Sequence, residues 1–288
     1  MSRERGTVGS ADTVLAGKIS DPALSILLCS PASSARMIAT VIRAAAAAGL
    51  GGMAGLLGGL FGVGGGFLVI PLLGFFYGMD QQTAQGTALM MVVPNVLWAF
   101  SQYQRRFSVD VRMAATIAGS ALIATYPTAR FATGLDPHVL RLAFAVFLAT
   151  IAVTVAYCLR RGNVRVGTGP TRAWGWTTVV GLIGGVFSGL FGVGGAFVPP
   201  LLTTFFGLRQ LEAQGLALAL VSPSALLALL AYAGAGRVDW LVGLPLALGG
   251  IAAISAGVAF ASRLPERRMR LAFCGLLLIT AVLLAARG

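Results

Sequence analysis

Gly59-Leu60-Phe61-Gly62-Val63-Gly64-Gly65-Gly66-Phe67 and Gly189-Leu190-Phe191-Gly192-Val193-Gly194-Gly195-Ala196-Phe197 are near copies, each lodged in a long apolar run. Glycine destabilises a helix interior by about 1 kcal/mol relative to alanine, so the cluster Gly62–Gly66 predicts a broken helix. In lipid an unwound backbone persists only where protein buries it or a watery cavity wets it. Two related breaks therefore predict one site between two halves, near the midplane, where the second half-helix turns its first N–H groups toward an anion.

The surroundings set the class. Hydrophobic residues make up 57% and charged residues 10% of the 288 positions, with a mean hydropathy of +0.86, against roughly one-quarter charged in a soluble domain. The chain reads as an all-α polytopic integral membrane protein. Its formal charge of +12 comes from arginines and Lys18. The arginines stand singly or in pairs between apolar runs, as loop charges that set orientation do, so no nucleic-acid partner is expected. Cys29, Cys158 and Cys274 lack metal-ligand spacing, and Cys158 and Cys274 read as small core residues. No metal, cofactor or enzymatic constellation is expected, and a Gly-Lys-Ser/Thr phosphate loop is missing.

Ten apolar runs fall into a pattern that occurs twice. The first five are Met37–Phe61, Gly66–Tyr77, Thr83–Phe100, Val111–Phe131 and Val139–Leu159; the second five are Ala173–Phe191, Ala196–Phe206, Ala213–Ala233, Trp240–Ala261 and Met269–Ala285. Gln85 and Gln214 fix an offset of 129, kept by Pro94 and Pro223, Tyr103 and Tyr232, Asp110 and Asp239, and Arg141 and Arg270. A register held over both halves means duplication. The expected organisation is a polar tail over 1–36 without the apolar core of a secretory signal, one transmembrane repeat over 37–161, a linker over 162–172 and a second repeat over 173–288. Each repeat makes four or five crossings. Five crossings make the halves inverted, and that arrangement is preferred because it creates alternating access by symmetry.

Gly51, Gly55 and Gly59, like Gly181, Gly185 and Gly189, are four apart and predict one helix face where backbones approach closely. Polar candidates beside the breaks are Gln85, Thr87 and Asn95 in the first half and Gln214, Ser222 and Ser224 in the second, since such groups inside lipid join helices or line a path. Asp80, Asp110, Asp136, Glu212, Asp239 and Glu266 all fall at run ends, as helix caps or loop charges. With no carboxylate at mid-membrane, a proton relay is disfavoured and an anion fits better than a cation. Arg105 and Arg106 could draw an anion to the mouth.

Together these motifs resemble the TauE/SafE family of sulfite exporters and organosulfur-anion carriers. The likeness rests on Gly58–Gly66 with Pro71-Leu72-Leu73, Ala84–Leu89 with Pro94, and Val109-Asp110, repeated as Gly185–Gly195 with Pro200-Leu201-Leu202, Ala213–Leu218 with Pro223, and Gly236–Asp239. Where the family carries Thr-Ser, this chain has Thr87-Ala88 and Leu216-Ala217. The resemblance implies transport of a small sulfur-containing or related organic anion.

The expected function is thus a secondary carrier or exporter in a bacterial inner membrane, with membrane lipid and a small anion as partners and a homodimer as an allowed assembly. The expected site is Gly64, Gly65, Gly66, Gln85, Thr87, Asn95, Gly194, Gly195, Ala196, Gln214 and Ser222, with Arg105 and Arg106 at the entrance and more substrate contact from the first half. A passive channel for another solute is the alternative.

Overall fold

The computed structural model describes residues 31–106, 110–161, 174–205 and 207–285. The tail up to residue 30, the linker 162–172 and Val109 lie outside the described residues. Residues 1–45 and 46–288 form separate compact units. In the first, the described residues are helical, and Met37–Arg43 are exposed.

The described residues form ten α-helices and no strand: α1 Pro31–Phe61, α2 Gly66–Tyr77, α3 Gln81–Arg106, α4 Val111–Gly134, α5 Pro137–Arg161, α6 Trp174–Phe191, α7 Val198–Phe205, α8 Gln210–Gly234, α9 Trp240–Ala261 and α10 Glu266–Ala285. A 3₁₀ turn, Gly194–Ala196, precedes α7. Met37–Phe61, Pro137–Tyr157, Gln210–Gly234 and Trp240–Ala261 are long and apolar enough to cross a membrane.

Four of the run-end acids start helices. Asp110 Oδ1 accepts the N–H groups of Arg112 (2.9 Å) and Met113 (3.3 Å), and Asp239 Oδ1 accepts those of Leu241 (3.0 Å) and Val242 (3.2 Å). Asp136 and Asp80 do the same for α5 and α3. Each carboxylate satisfies donors that the first helical turn leaves unpaired.

The glycine stripes set which helices meet. Cβ atoms built on Gly51, Gly55 and Gly59 would lie 2.0, 2.4 and 2.4 Å from the carbonyl oxygens of Leu246, Gly250 and Ile254, so α1 and α9 run parallel in backbone contact. Gly181, Gly185 and Gly189 meet Ile117, Ala121 and Thr125 in the same way, so α6 and α4 run parallel. Small residues permit that approach, and dispersion across it holds helices together where lipid removes the hydrophobic drive.

Directions follow from further pairs. Gln102 Nε2 donates to Ser255 Oγ (2.7 Å) and Asp239 N–H to Thr87 Oγ1 (3.0 Å), which makes α3 parallel to α9. Gln82, at the start of α3, donates to the carbonyls of Ala132 and Leu135 at the end of α4, which makes those two antiparallel. Since α1 and α3 both run with α9, α2 must return between them. Its 12 residues rise about 18 Å, short of a full crossing.

Candidate functional site

The chain turns sharply after Phe61. Gly62, Gly64 and Gly65 take φ of 68, 77 and 80°, a region that other L-residues adopt at a cost. At Gly65 space forbids a side chain as well: a Cβ would sit 2.2 Å from the Ala54 carbonyl oxygen. Gly65 thus lies beside Ala54, and the segment folds back along α1. After Phe191, Gly192 turns at φ 70°, and a Cβ on Gly194 would lie 2.3 Å from the Gly184 carbonyl oxygen. The two turns touch. A Cβ on Gly66 would stand 3.3 Å from Val193 Cγ1, and one on Gly195 would stand 3.7 Å from Val63 Cα.

Within the first turn, the Val63 N–H reaches the Gly58 carbonyl (3.2 Å) and the Leu68 N–H reaches that of Gly65 (3.3 Å). Among the described residues, the N–H groups of Gly64 and Gly65 have no backbone carbonyl partner outside the helices. In the second turn the Ala196 N–H bonds the Val193 carbonyl (3.0 Å), while the Gly194 and Gly195 N–H groups have no backbone carbonyl partner outside the helices among the described residues. These donors and the N-terminus of α2 give the buried turns a positive local potential.

Two tyrosines join α3 and α8 to each other and to the helix ends before the turns. The Tyr103 hydroxyl donates toward Gln214 Oε1 (2.9 Å) and the Gly59 carbonyl (3.2 Å). Tyr232 does the same to Gln85 Oε1 (2.8 Å) and the Leu190 carbonyl (3.1 Å). These pairs run α3 antiparallel to α8. Tyr103 and Tyr232 are fully buried, and sequence reasoning missed them as site residues. Their shared register was the available signal, but it was read only as a mark of duplication.

The expected residues divide into groups. Gly64, Gly65, Gly66, Gly194, Gly195 and Ala196 come together at the touching turns. Gln214 stands on the first turn, its Cβ 2.6 Å from where one on Gly62 would be, and its Nε2 is 3.5 Å from the Leu60 carbonyl. Gln85 reaches the second turn only through Tyr232, and its Nε2 has no partner. Asn95 is completely buried with both amide atoms unpartnered. Thr87 and Ser222 are committed elsewhere: Thr87 accepts from Asp239 N–H, and Ser222 donates to the Leu218 carbonyl (2.7 Å). Arg105 is exposed near the end of α3, two residues beyond Tyr103; the Arg106 side chain lies outside the described residues.

A groove walled by Phe147, Ile151, Phe187, Phe197 and Leu201 is a poor anion site. Its surface is carbon, and the hydroxyls of Thr150 and Thr154 are spent on their own helix. Polar capacity lies instead at the turns and along α3.

A family model described as Sulfite exporter TauE/SafE matches residues 46–284. A probable membrane transporter protein of Bacillus subtilis is 24% identical over 216 residues, covering 74% of this chain and 88% of its own. One from Xylella fastidiosa is 27% identical over 225 residues, covering 75% and 84%. One from Methanocaldococcus jannaschii is 28% identical over 155 residues, covering 52% and 57%. No solved structure matches the chain.

Proposed function

The chain belongs to the TauE/SafE sulfite exporter family and is a membrane transporter, and from that premise we propose that it is a secondary carrier of a small sulfur-containing or related organic anion, such as sulfite or a sulfonate, in a bacterial inner membrane. The observation that carries this reading is the contact of two glycine turns with unspent N–H groups, Gly66 against Val193 and Gly195 against Val63. Oriented amides in a water-poor place favour negative charge. The described acids lie at helix ends, and none is buried. Without an acid relay, the driving force is an anion gradient or the charge of the cargo itself.

The halves are inverted repeats in this reading, each with one returning half-length helix after its glycine break. An in-plane two-fold axis requires equivalent helices to run oppositely. The antiparallel α3 and α8, joined at Gln85–Tyr232 and Tyr103–Gln214, support it. Such symmetry gives two related conformations, open to opposite faces.

Counterflow in proteoliposomes tests the carrier. Labelled sulfite should accumulate transiently against unlabelled sulfite, with saturation; linear flux without exchange would mean a channel instead.

A further inference from the structure

Asn95 and Ser224 occupy the same register in the two halves, 129 residues apart, and both are fully buried. Their polar groups fare differently. The Ser224 hydroxyl donates to the Leu220 carbonyl (2.8 Å) and meets the Ser188 hydroxyl at 2.9 Å. The position matching Ser188 in the first half is Gly58, which has no hydroxyl to offer. Asn95 Nδ2 and Oδ1 accordingly have no partner.

Asn95 also stands in the layer of the first glycine turn. Its amide rests on Gly250, where an added Cβ would meet Nδ2 at 2.5 Å, and the Gly250 carbonyl oxygen would be 2.4 Å from a Cβ on Gly55. Gly55 follows Ala54, whose carbonyl backs Gly65. Burying a primary amide at bilayer depth is costly unless something pairs with it.

We propose that Asn95 selects the cargo, and that it selects an oxyanion group carried together with a hydrogen-bond donor: a monoprotonated oxyanion, a sulfonate bearing a hydroxyl, or a zwitterionic sulfonate bearing an ammonium group. This rests on the carrier reading. A carboxamide has both faces, so Nδ2 donates to an anionic oxygen while Oδ1 accepts from the cargo's own donor. Gln85 is less free, because its Oε1 already accepts from Tyr232 and only its Nε2 is wholly unpartnered. Gln82 Oε1, another unpartnered acceptor, lies in the first turn of α3. An anion with acceptors alone would set its oxygens against the Asn95 Oδ1 lone pairs.

Three sulfonates on one two-carbon chain separate the possibilities: 2-hydroxyethanesulfonate, taurine and ethanesulfonate, each tested with sulfite for saturable exchange in proteoliposomes. The hydroxyl- and ammonium-bearing compounds should have KM values about tenfold or more below that of ethanesulfonate. Asn95→Leu should bring the ratio near one, while Ser224→Ala leaves it unchanged. Equal KM values for all three in the native protein would overturn the proposal even if the variant fails to fold, and so would a ratio that survives Asn95→Leu. Exchange of ethanesulfonate as good as the others removes the selectivity and keeps the carrier; exchange of none of the four compounds removes both.

Discussion

The hydroxyl of Tyr232 donates to Oε1 of Gln85 across 2.8 Å, joining α8 to α3, and Tyr103 mirrors it with Gln214 at 2.9 Å. Each tyrosine also reaches the carbonyl end of the helix that its own half interrupts, at Leu190 or Gly59. One hydroxyl therefore serves a carbonyl at a helix end and an amide from the other half.

Tyr232→Phe should lower stability by about 1 kcal/mol, because the Gln85 and Leu190 oxygens lose a buried donor. Combined with Gln85→Leu it should cost less than the sum of the single changes, since both remove one interaction. Thermal unfolding in detergent reads this directly. Strict additivity would mean that the hydroxyl and the amide do not interact.

The glycine stripes predict opposite signs for one chemical change. Gly185→Ala would put a methyl 2.3 Å from the Ala121 carbonyl oxygen, backbone against backbone, and should destabilise by about 1–3 kcal/mol as α4 and α6 are forced apart. Gly119→Ala, on α4 with nothing within 4 Å, should be neutral or stabilising by up to about 1 kcal/mol through helix propensity. A comparison of the two midpoints checks it, and equal shifts would contradict the close α4–α6 approach.

Asp80 has two tasks that substitution can separate. Its Oδ1 accepts the Thr83 N–H at 2.9 Å, and its Oδ2 meets Arg237 Nη1 at 2.9 Å. The side chains of Arg237 and Asp80 are 39% and 35% exposed, so solvent screens the pair to a fraction of about 1 kcal/mol. Asp80→Asn, which keeps a capping oxygen, should cost about 0.5 kcal/mol or less, and Asp80→Ala about 1 kcal/mol. Equal losses in thermal unfolding would make the ion pair the main contribution.

Much of the architecture was legible because apolar runs end where helices end: Trp240–Ala261 is the same in both readings, and Phe61 and Gly66 bound α1 and α2 as the runs do. The expected run Thr83–Phe100 stopped short of α3, since Gln102, Tyr103 and Gln104 are polar and hydropathy cannot see that Tyr103 is buried by another half. The candidate site was legible only in part. Polarity singled out Asn95 and Gln214 as candidates, but not that Thr87 is spent on Asp239 or that Tyr103 and Tyr232 reach Gln214 and Gln85. Those facts depend on pairings between helices more than 100 residues apart, which no local pattern encodes.

Helix directions also predict which face is cytoplasmic. Because α3 runs with α9 and against α4 and α8, Arg105, Arg112, Arg209, Arg263, Arg267 and Arg268 gather at one end, and Arg130, Arg141 and Arg237 at the other. The positive-inside bias puts the richer end in the cytoplasm. In a background without Cys29, Cys158 and Cys274, Ala235→Cys and Ser262→Cys mark opposite ends of α9 at exposed positions. A membrane-impermeant maleimide should label Ala235→Cys in intact cells and Ser262→Cys only in inverted vesicles. Labelling of both from one side would contradict α9 as a crossing helix, and the reverse pattern would turn the transporter over, leaving the Asp80–Arg237 pair on the cytoplasmic face.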